Sequence, residues 1–201
     1  MKLFSKILSI VFHPMLMPTL GLFFIFSAGT HLSYMPFEVK RLVYMIVIIS
    51  SCLLPVSLLP LFLQMKVIKS FKMETARERV YPVLVTGLFY FLGYFFLRRL
   101  NISPLIENFV LSILVAVLLA AAISFFWKIS LHAIAVGGIT AVLAAMMFKY
   151  GVDLVLLVSL MVLISGLTTM ARLYLNAHSP SQVYAGYATG FIIVFLGTLL
   201  G

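Results

Sequence analysis

Residues 170–190, MARLYLNAHSPSQVYAGYATG, place a short polar stretch between two apolar runs, and this alternation decides the fold. The run before it, 152–170, and the run after it, 183–200, each approach the roughly 20 residues that a helix needs to cross a bilayer core. Comparable apolar runs occur earlier in the chain, at 7–28, 42–64, 82–99, 105–126 and 131–148. The pattern predicts a helical membrane protein whose polar segments connect the spans.

The composition indicates the same class. Of 201 residues, 64% are hydrophobic and 9% are charged, whereas a soluble domain carries about 25% charged residues. We expect an all-α polytopic bundle of six to seven transmembrane segments, and one domain over residues 1–201, because no linker divides the chain. In the run 7–28, Pro14 and Pro18 predict a kink or a break, so this run is the doubtful span. The lipid bilayer is the expected partner, and nothing indicates a nucleic acid.

Loop parity sorts the basic residues between the two membrane faces. One face receives the N-terminus and three polar loops, at 65–81, 127–130 and 171–182. That face carries nine Lys and Arg against five on the other, which favours the cytoplasmic side by the positive-inside rule. If Lys72, Arg79 and Arg172 bind a ligand instead, the count becomes six against five and leaves the orientation open. The three loops can in either case meet and build one site.

The residues in these loops suit the chemistry of a phosphate ester. Arg binds phosphate through a planar fork, and Lys binds it as a point charge. A neutral histidine can attack phosphorus while a second one protonates the leaving oxygen. The three loops and the start of the following span supply His132, His178, Ser130, Lys72, Arg79 and Arg172. The five acidic residues have no ligand spacing with a histidine, so we predict neither a metal site nor a cofactor.

The spacing in the last loop resembles a signature of the type 2 phosphatidic acid phosphatases, the PAP2 superfamily. That signature is Ser-Arg, five residues, His, three residues and Asp. Here Arg172, His178 and Gln182 keep the spacing, but Ala171 replaces the serine and Gln182 replaces the aspartate.

Two further segments resemble the other PAP2 signatures. Ser130 and His132 correspond to the Ser and His of a Pro-Ser-Gly-His signature whose proline and glycine are replaced here. Lys72 and Arg79 correspond to a Lys and an Arg that are separated by six residues, although the proline that should follow comes two places late.

The resemblance implies a role for each matching residue. His178 would be the nucleophile that forms a phosphohistidine, and His132 the general acid for the leaving alcohol. Gln182 would orient His178 through its amide oxygen, without the charge of the usual carboxylate. The phosphate would be held by Lys72, Arg79, Ser130 and Arg172.

The resemblance also implies a substrate class and a location. PAP2 enzymes act on phosphorylated membrane lipids such as phosphatidic acid, phosphatidylglycerol phosphate, undecaprenyl diphosphate and lipid A. Their bacterial members lie in the inner membrane, with the catalytic site typically on the periplasmic face. We therefore expect a multi-pass protein of the inner membrane with its site on that face, against the count of basic residues.

Three interpretations follow from these residues. The first is a metal-independent lipid phosphate or diphosphate phosphatase that tolerates Gln182, with Glu74 and Glu78 as the acids that could substitute for the missing carboxylate. The second is a protein that binds or transports a phosphorylated lipid without hydrolysing it. In the third, the protein is a structural subunit whose histidines are merely interfacial. Two histidines in these positions favour the first interpretation, whereas Gln182 favours the second.

Overall fold

The protein is represented by a computed structural model that describes residues 1–70 and 75–201, without the side chains of residues 76 and 77. Throughout these residues the regular structure is helical. In chain order the elements are α1 Lys2–Val11, α2 Met17–Ser27, a 3₁₀ turn His31–Tyr34, α3 Phe37–Ile48, a π-helical stretch Ile49–Leu53, α4 Leu54–Gln64, α5 Ala76–Arg99, α6 Pro104–Ser124, α7 Leu131–Tyr150, α8 Val155–Tyr174 and α9 Pro180–Leu200.

Six helical segments of the described chain are long and apolar enough to cross a membrane. The first combines α3, the π-helical stretch and α4 into Phe37–Gln64, and the other five are contributed by α5 to α9. This result confirms the predicted all-α polytopic bundle, and the protein is a multi-pass membrane protein in contact with the bilayer. Helix α5 begins several residues before its apolar run, because Thr75 caps it by accepting a hydrogen bond from the Glu78 N–H at 3.4 Å.

The doubtful first run is two short helices and not one continuous span. Helix α1 ends at Val11, Pro14 lies in the break, and α2 begins at Met17 with Pro18 in its first turn. The break leaves the carbonyl of Met15 without a partner inside a helix. The Ser51 hydroxyl donates a hydrogen bond to this carbonyl at 3.1 Å. Helix α1 packs on α8, whereas α2 packs on α7 and leads the chain from His13, beside His132, to His31, beside Tyr150.

Helix α1 has its polar face turned toward the protein and its apolar face turned outward. Ser5 and Ser9 are buried, whereas Leu3 is 72% exposed and Ile10 is 68% exposed. An exposed apolar stripe on a surface helix is unfavourable in water but stable against lipid. The arrangement therefore fits a helix that lies against the bilayer and offers its hydroxyl groups to the interior.

The centre of the bundle is the close packing of α7 on α9. Helix α7 is the most deeply buried of the six spans, and its contact with α9 is the most extensive in the protein. Gly186 and Gly190 stand four apart on α9, a spacing that predicts a helix-packing face. A Cβ at Gly186 would lie 2.7 Å from the carbonyl oxygen of Ser130, and one at Gly190 would meet the carbonyl of Ile134. These glycines let the two backbones touch, as predicted, and they fix the start of α7 against the start of α9.

Candidate active site

A cavity of about 960 Å³ lies among α1, α2, α4, α5, α6, α7 and the turn between α8 and α9. Its walls combine a polar region with an apolar one. The apolar region includes Pro55, Leu59, Phe62, Val83 and Phe109. The polar region contains five cations and three histidines, namely Lys2, Lys6, Arg79, Lys128, Arg172, His13, His132 and His178. Among the described residues no Asp or Glu lines this cavity, so it is suited to an anion that carries apolar chains.

His178 is held in the turn between α8 and α9 by two hydrogen-bond acceptors. Its Nδ1 lies 3.2 Å from the carbonyl oxygen of Lys128 and 3.2 Å from Oε1 of Gln182. The Gln182 atom is identified as the oxygen because it also accepts the N–H of Ser179 at 3.1 Å. Since both partners accept, Nδ1 must carry the proton, and Nε2 of the neutral ring keeps its lone pair.

The surroundings of His178 keep its ring neutral at pH 7. Burial has the largest effect and lowers its pKa from the usual 6.5 to about 4 together with the positive charges of Arg79 and Arg172. The hydrogen bonds to Gln182 and Lys128 act in the opposite direction, because they favour the protonated ring. A neutral imidazole with a bare Nε2 is the form that can act as a nucleophile or accept a proton.

Gln182 has two functions at the start of α9. It is the third residue of the helix, and it closes a capping box with Ser179, so its amide oxygen holds both the helix start and the His178 ring. Glu78, one of the two acids considered as a substitute for the missing carboxylate, instead accepts the Thr75 hydroxyl at 3.1 Å. Glu74, the other one, lies outside the described residues. The amide of Gln182 is thus the side chain that orients His178.

His132 is oriented by a contact with α1. Its Nε2 lies 3.0 Å from the carbonyl oxygen of Ser9. A carbonyl only accepts, so Nε2 carries the proton, and Nδ1 is the atom of the neutral ring that can take up or release a further proton. Both histidines singled out in the sequence therefore have one ring nitrogen fixed by a backbone carbonyl and the other left for chemistry.

Arg172 contacts the same residue of α1. Its Nη1 donates to Ser9 Oγ at 3.2 Å, and this hydroxyl in turn donates to the Ser5 carbonyl at 2.9 Å. Its Nε is buried and has no hydrogen-bond partner in the described part of the chain. An unpaired donor on a buried cation costs free energy unless an anion accepts from it. Arg172 is therefore placed to receive an anion in the cavity.

The other predicted phosphate ligands have different placements. Arg79 is buried in the first turns of α5 and lines the cavity, whereas Lys72 lies outside the described residues. Ser130 is fully buried behind the cavity wall. It donates its N–H to the Gln182 carbonyl at 3.2 Å and accepts the Ala133 N–H at 3.4 Å through its hydroxyl. Its hydroxyl could still donate to a phosphate oxygen, but a direct role in phosphate binding would require this buried group to become accessible from the cavity.

The polar face of α1 is the part of the site that the sequence reasoning missed. Ser9 and His13 line the cavity together with Lys2 and Lys6, although none of them belongs to a PAP2 signature. A signal was available, because these four positions repeat at spacings of three, four and seven residues, which is the pattern of one side of a helix, although α1 ends at Val11 and His13 follows in the break. Within the described residues, no cluster of three His, Cys, Asp or Glu side chains could hold a metal ion.

No protein-family model, curated protein or solved structure matches this chain.

Proposed function

We propose that this protein is a phosphatase of membrane lipid phosphates or diphosphates that acts through a phosphohistidine at His178. The observation that carries the proposal is the pair of oriented histidines in one cation-lined cavity. His178 is fixed through Nδ1 and His132 through Nε2, and Arg172 lies beside them with an unpartnered donor in the described structure. The whole cavity has a volume of about 960 Å³, and its apolar region suits lipid chains.

In the first step, Nε2 of His178 attacks phosphorus, and the bond between phosphorus and the lipid oxygen breaks. The leaving oxygen takes a proton from Nδ1 of His132, which binds this proton together with the anionic substrate, while its Nε2–H stays on the Ser9 carbonyl. Phosphohistidine formation makes the His178 ring positive, and this charge is stabilised by the acceptors of Nδ1, Lys128 O and Gln182 Oε1. Arg79 and Arg172 neutralise the charge on the other phosphate oxygens.

In the second step, water hydrolyses the intermediate. Neutral His132 takes a proton from the water at Nδ1, the oxygen attacks phosphorus, and the bond from phosphorus to Nε2 of His178 breaks. Inorganic phosphate leaves, His178 returns to the neutral form, and His132 is protonated for the next cycle. Protons and charges therefore balance over the two steps without a further reactant.

The proposed substrates and location follow the PAP2 resemblance. We assign the substrate to the class of phosphatidic acid, phosphatidylglycerol phosphate, undecaprenyl diphosphate or lipid A, and the protein to the inner membrane with this site on the periplasmic face. Lys72 and Ser130 would assist the phosphate site as they do in that family.

A second candidate function is binding or transport of a phosphorylated lipid without hydrolysis. The neutral amide of Gln182 favours it, because a carboxylate would stabilise the positive ring of the intermediate more strongly. In a serine-protease triad, replacing Asp by its amide costs about 10⁴ in turnover. Both candidate functions therefore predict binding of a phosphorylated lipid, but only the phosphatase predicts its hydrolysis.

Phosphate release by the purified protein in detergent separates the two candidates. We expect release from at least one lipid of the four classes above, and we expect His178→Ala to reduce it by at least about 10³-fold, because the nucleophile is lost. The matched control is His31→Ala, since His31 packs on Tyr150 at the opposite end of α7 and should not affect turnover. Unchanged release in His178→Ala would exclude the mechanism, and tight binding with no release would favour the carrier.

A further inference from the structure

His13 lies in the break between α1 and α2, where it faces the same cavity as the two histidines described above. Its ring is half-buried and packs edge to face with His132, with ring centroids 5.4 Å apart and planes at 84°. It lines the cavity wall together with Arg172. No signature in the sequence assigns His13 a role.

The contacts of His13 determine which ring nitrogen donates. The Met15 N–H donates to His13 Nδ1 at 3.4 Å, so Nδ1 is an acceptor and the neutral ring carries its proton on Nε2. Burial and then the charge of Arg172 lower the pKa of His13, which keeps the ring neutral. The Nε2–H is therefore the donor that this ring offers to the cavity.

The contact with Met15 does not by itself explain a histidine at this position. The turn is also closed by two backbone hydrogen bonds, from His13 N–H to Ile10 O at 3.3 Å and from Leu16 N–H to His13 O at 2.9 Å. An Asn would accept the Met15 N–H as well, and it is a common turn residue. What a histidine adds is a second polar atom farther from the backbone, on the side of the ring that Nδ1 does not use.

We propose that His13 is a further substrate-binding residue, which donates its Nε2–H to a phosphate oxygen of the lipid bound beside Arg172. The proposal rests on the phosphate site of the proposed function. With this role, the N-terminal segment contributes to the site in three ways. Ser9 contacts His132 through its carbonyl and Arg172 through its hydroxyl, and His13 contacts the ligand. A neutral donor fits a cavity that already contains five cations, since it adds a directed hydrogen bond without adding repulsion.

Two amide substitutions separate the two ring nitrogens of His13. In His13→Asn the side-chain oxygen can replace Nδ1 as the acceptor for Met15, but no atom reaches the position of Nε2. In His13→Gln the longer side chain can bring an N–H close to the position of Nε2, but it loses the Nδ1 acceptor. The probe is inorganic vanadate, a phosphate analogue, and the readout is its dissociation constant for the purified full-length protein in detergent.

We expect His13→Gln to bind vanadate within about threefold of the unsubstituted protein and His13→Asn to bind it about tenfold or more weakly, as for one hydrogen bond to a charged acceptor. Weaker vanadate binding by His13→Gln than by His13→Asn would show that His13 only supports the turn. Equal vanadate affinities of the two variants and the unsubstituted protein would show that His13 does not contact the ligand. Either result overturns the proposal. Arg172→Ala is the reference: if it too leaves vanadate binding unchanged, the phosphate site of the proposed function is wrong, whatever His13 does.

A measurement on the unsubstituted protein avoids any effect of the substitutions on folding. In protein labelled with ¹⁵N-histidine, titration with vanadate should shift the Nε2 resonance of His13 much more than its Nδ1 resonance. An unshifted Nε2 resonance at saturating vanadate would overturn the proposal.

Discussion

The two halves of the site are built in opposite ways. His178 belongs to the most tightly packed part of the protein, where glycines on α9 touch the backbone of α7 and Gln182 caps a long helix. His132 is oriented by Ser9 on α1, a ten-residue helix whose outer face is exposed and apolar. The nucleophile is thus fixed by the core, whereas the acid is fixed by a peripheral element that depends on the bilayer for its stability.

This difference separates two ways of losing function. Disturbing the contact between α7 and α9 should affect folding and catalysis together, because the same backbones form the core and hold His178. Disturbing α1 should affect catalysis with little loss of stability, since few of its residues are buried in the protein.

The largest effect is expected from Gly190→Ala, in the core half. The added methyl would meet the carbonyl of Ile134, a backbone group that cannot move aside, and overpacking of this kind costs about 1–3 kcal/mol. We expect a lower Tm in detergent and a loss of phosphate release. In the control Gly166→Ala, also in a helix, the new Cβ has no heavy atom of the described structure within 4 Å. An equal drop in Tm for both variants would show that helix contact at Gly190 is not limiting.

A smaller effect, confined to activity, is expected from Ser9→Ala in the peripheral half. The substitution removes the hydroxyl that accepts from Arg172 but keeps the carbonyl that holds His132. We expect kcat/KM for phosphate release to fall about tenfold, as for one hydrogen bond to a charged group, with Tm nearly unchanged. Ser5→Ala is the matched control, because the bond from Ser9 to Ser5 uses the Ser5 carbonyl and survives the substitution. A full loss of stability in Ser9→Ala would contradict a peripheral role for α1.

The smallest loss of activity at neutral pH is expected from Gln182→Glu. A glutamate keeps the reach to Ser179 and His178, and its charge favours the protonated ring. In the unsubstituted protein, protonation of His178 removes the nucleophile, so the loss of kcat/KM on the acid side should be centred near pH 4. In Gln182→Glu this decrease should begin about one pH unit higher, and activity at pH 7 should be retained or increased, because a carboxylate stabilises the positive ring of the intermediate more strongly than the amide does. A decrease centred near pH 6.5 in the unsubstituted protein would contradict the buried, cation-flanked setting of His178.

The core half was largely predictable from the sequence. The spacing of Arg172, His178 and Gln182 identified a polar turn between two spans, and the positions of the apolar runs identified all six spans, with ends shifted by a few residues. Such local patterns are readable because the residues that act together are near neighbours in the chain. The start of α5 before its apolar run was harder to predict from the sequence, because it depends on the cap at Thr75 and not on apolar residues.

The peripheral half was not predictable in the same way. Ser9 acts through a backbone carbonyl, which has no signature in the sequence, and its partner His132 lies 123 positions away in the chain. Pro14 indicated a kink or a break, but the pattern did not reveal that the break would place His13 against His132. Ser130 matched a signature, yet its polar groups join α7 to α9 behind the cavity. Contacts between distant segments have to be read from the fold.

The most direct measurement is to trap the intermediate on the protein. Lipid phosphate would be mixed with the purified protein, the reaction would be quenched at alkaline pH to preserve phosphohistidine, and peptides would be mapped by mass spectrometry. We predict phosphate on the peptide that contains His178, attached at Nε2, because Nδ1 is held by Lys128 and Gln182. Phosphate release with no phosphate on that peptide, or with phosphate at Nδ1, would contradict His178 as the nucleophile in the geometry described.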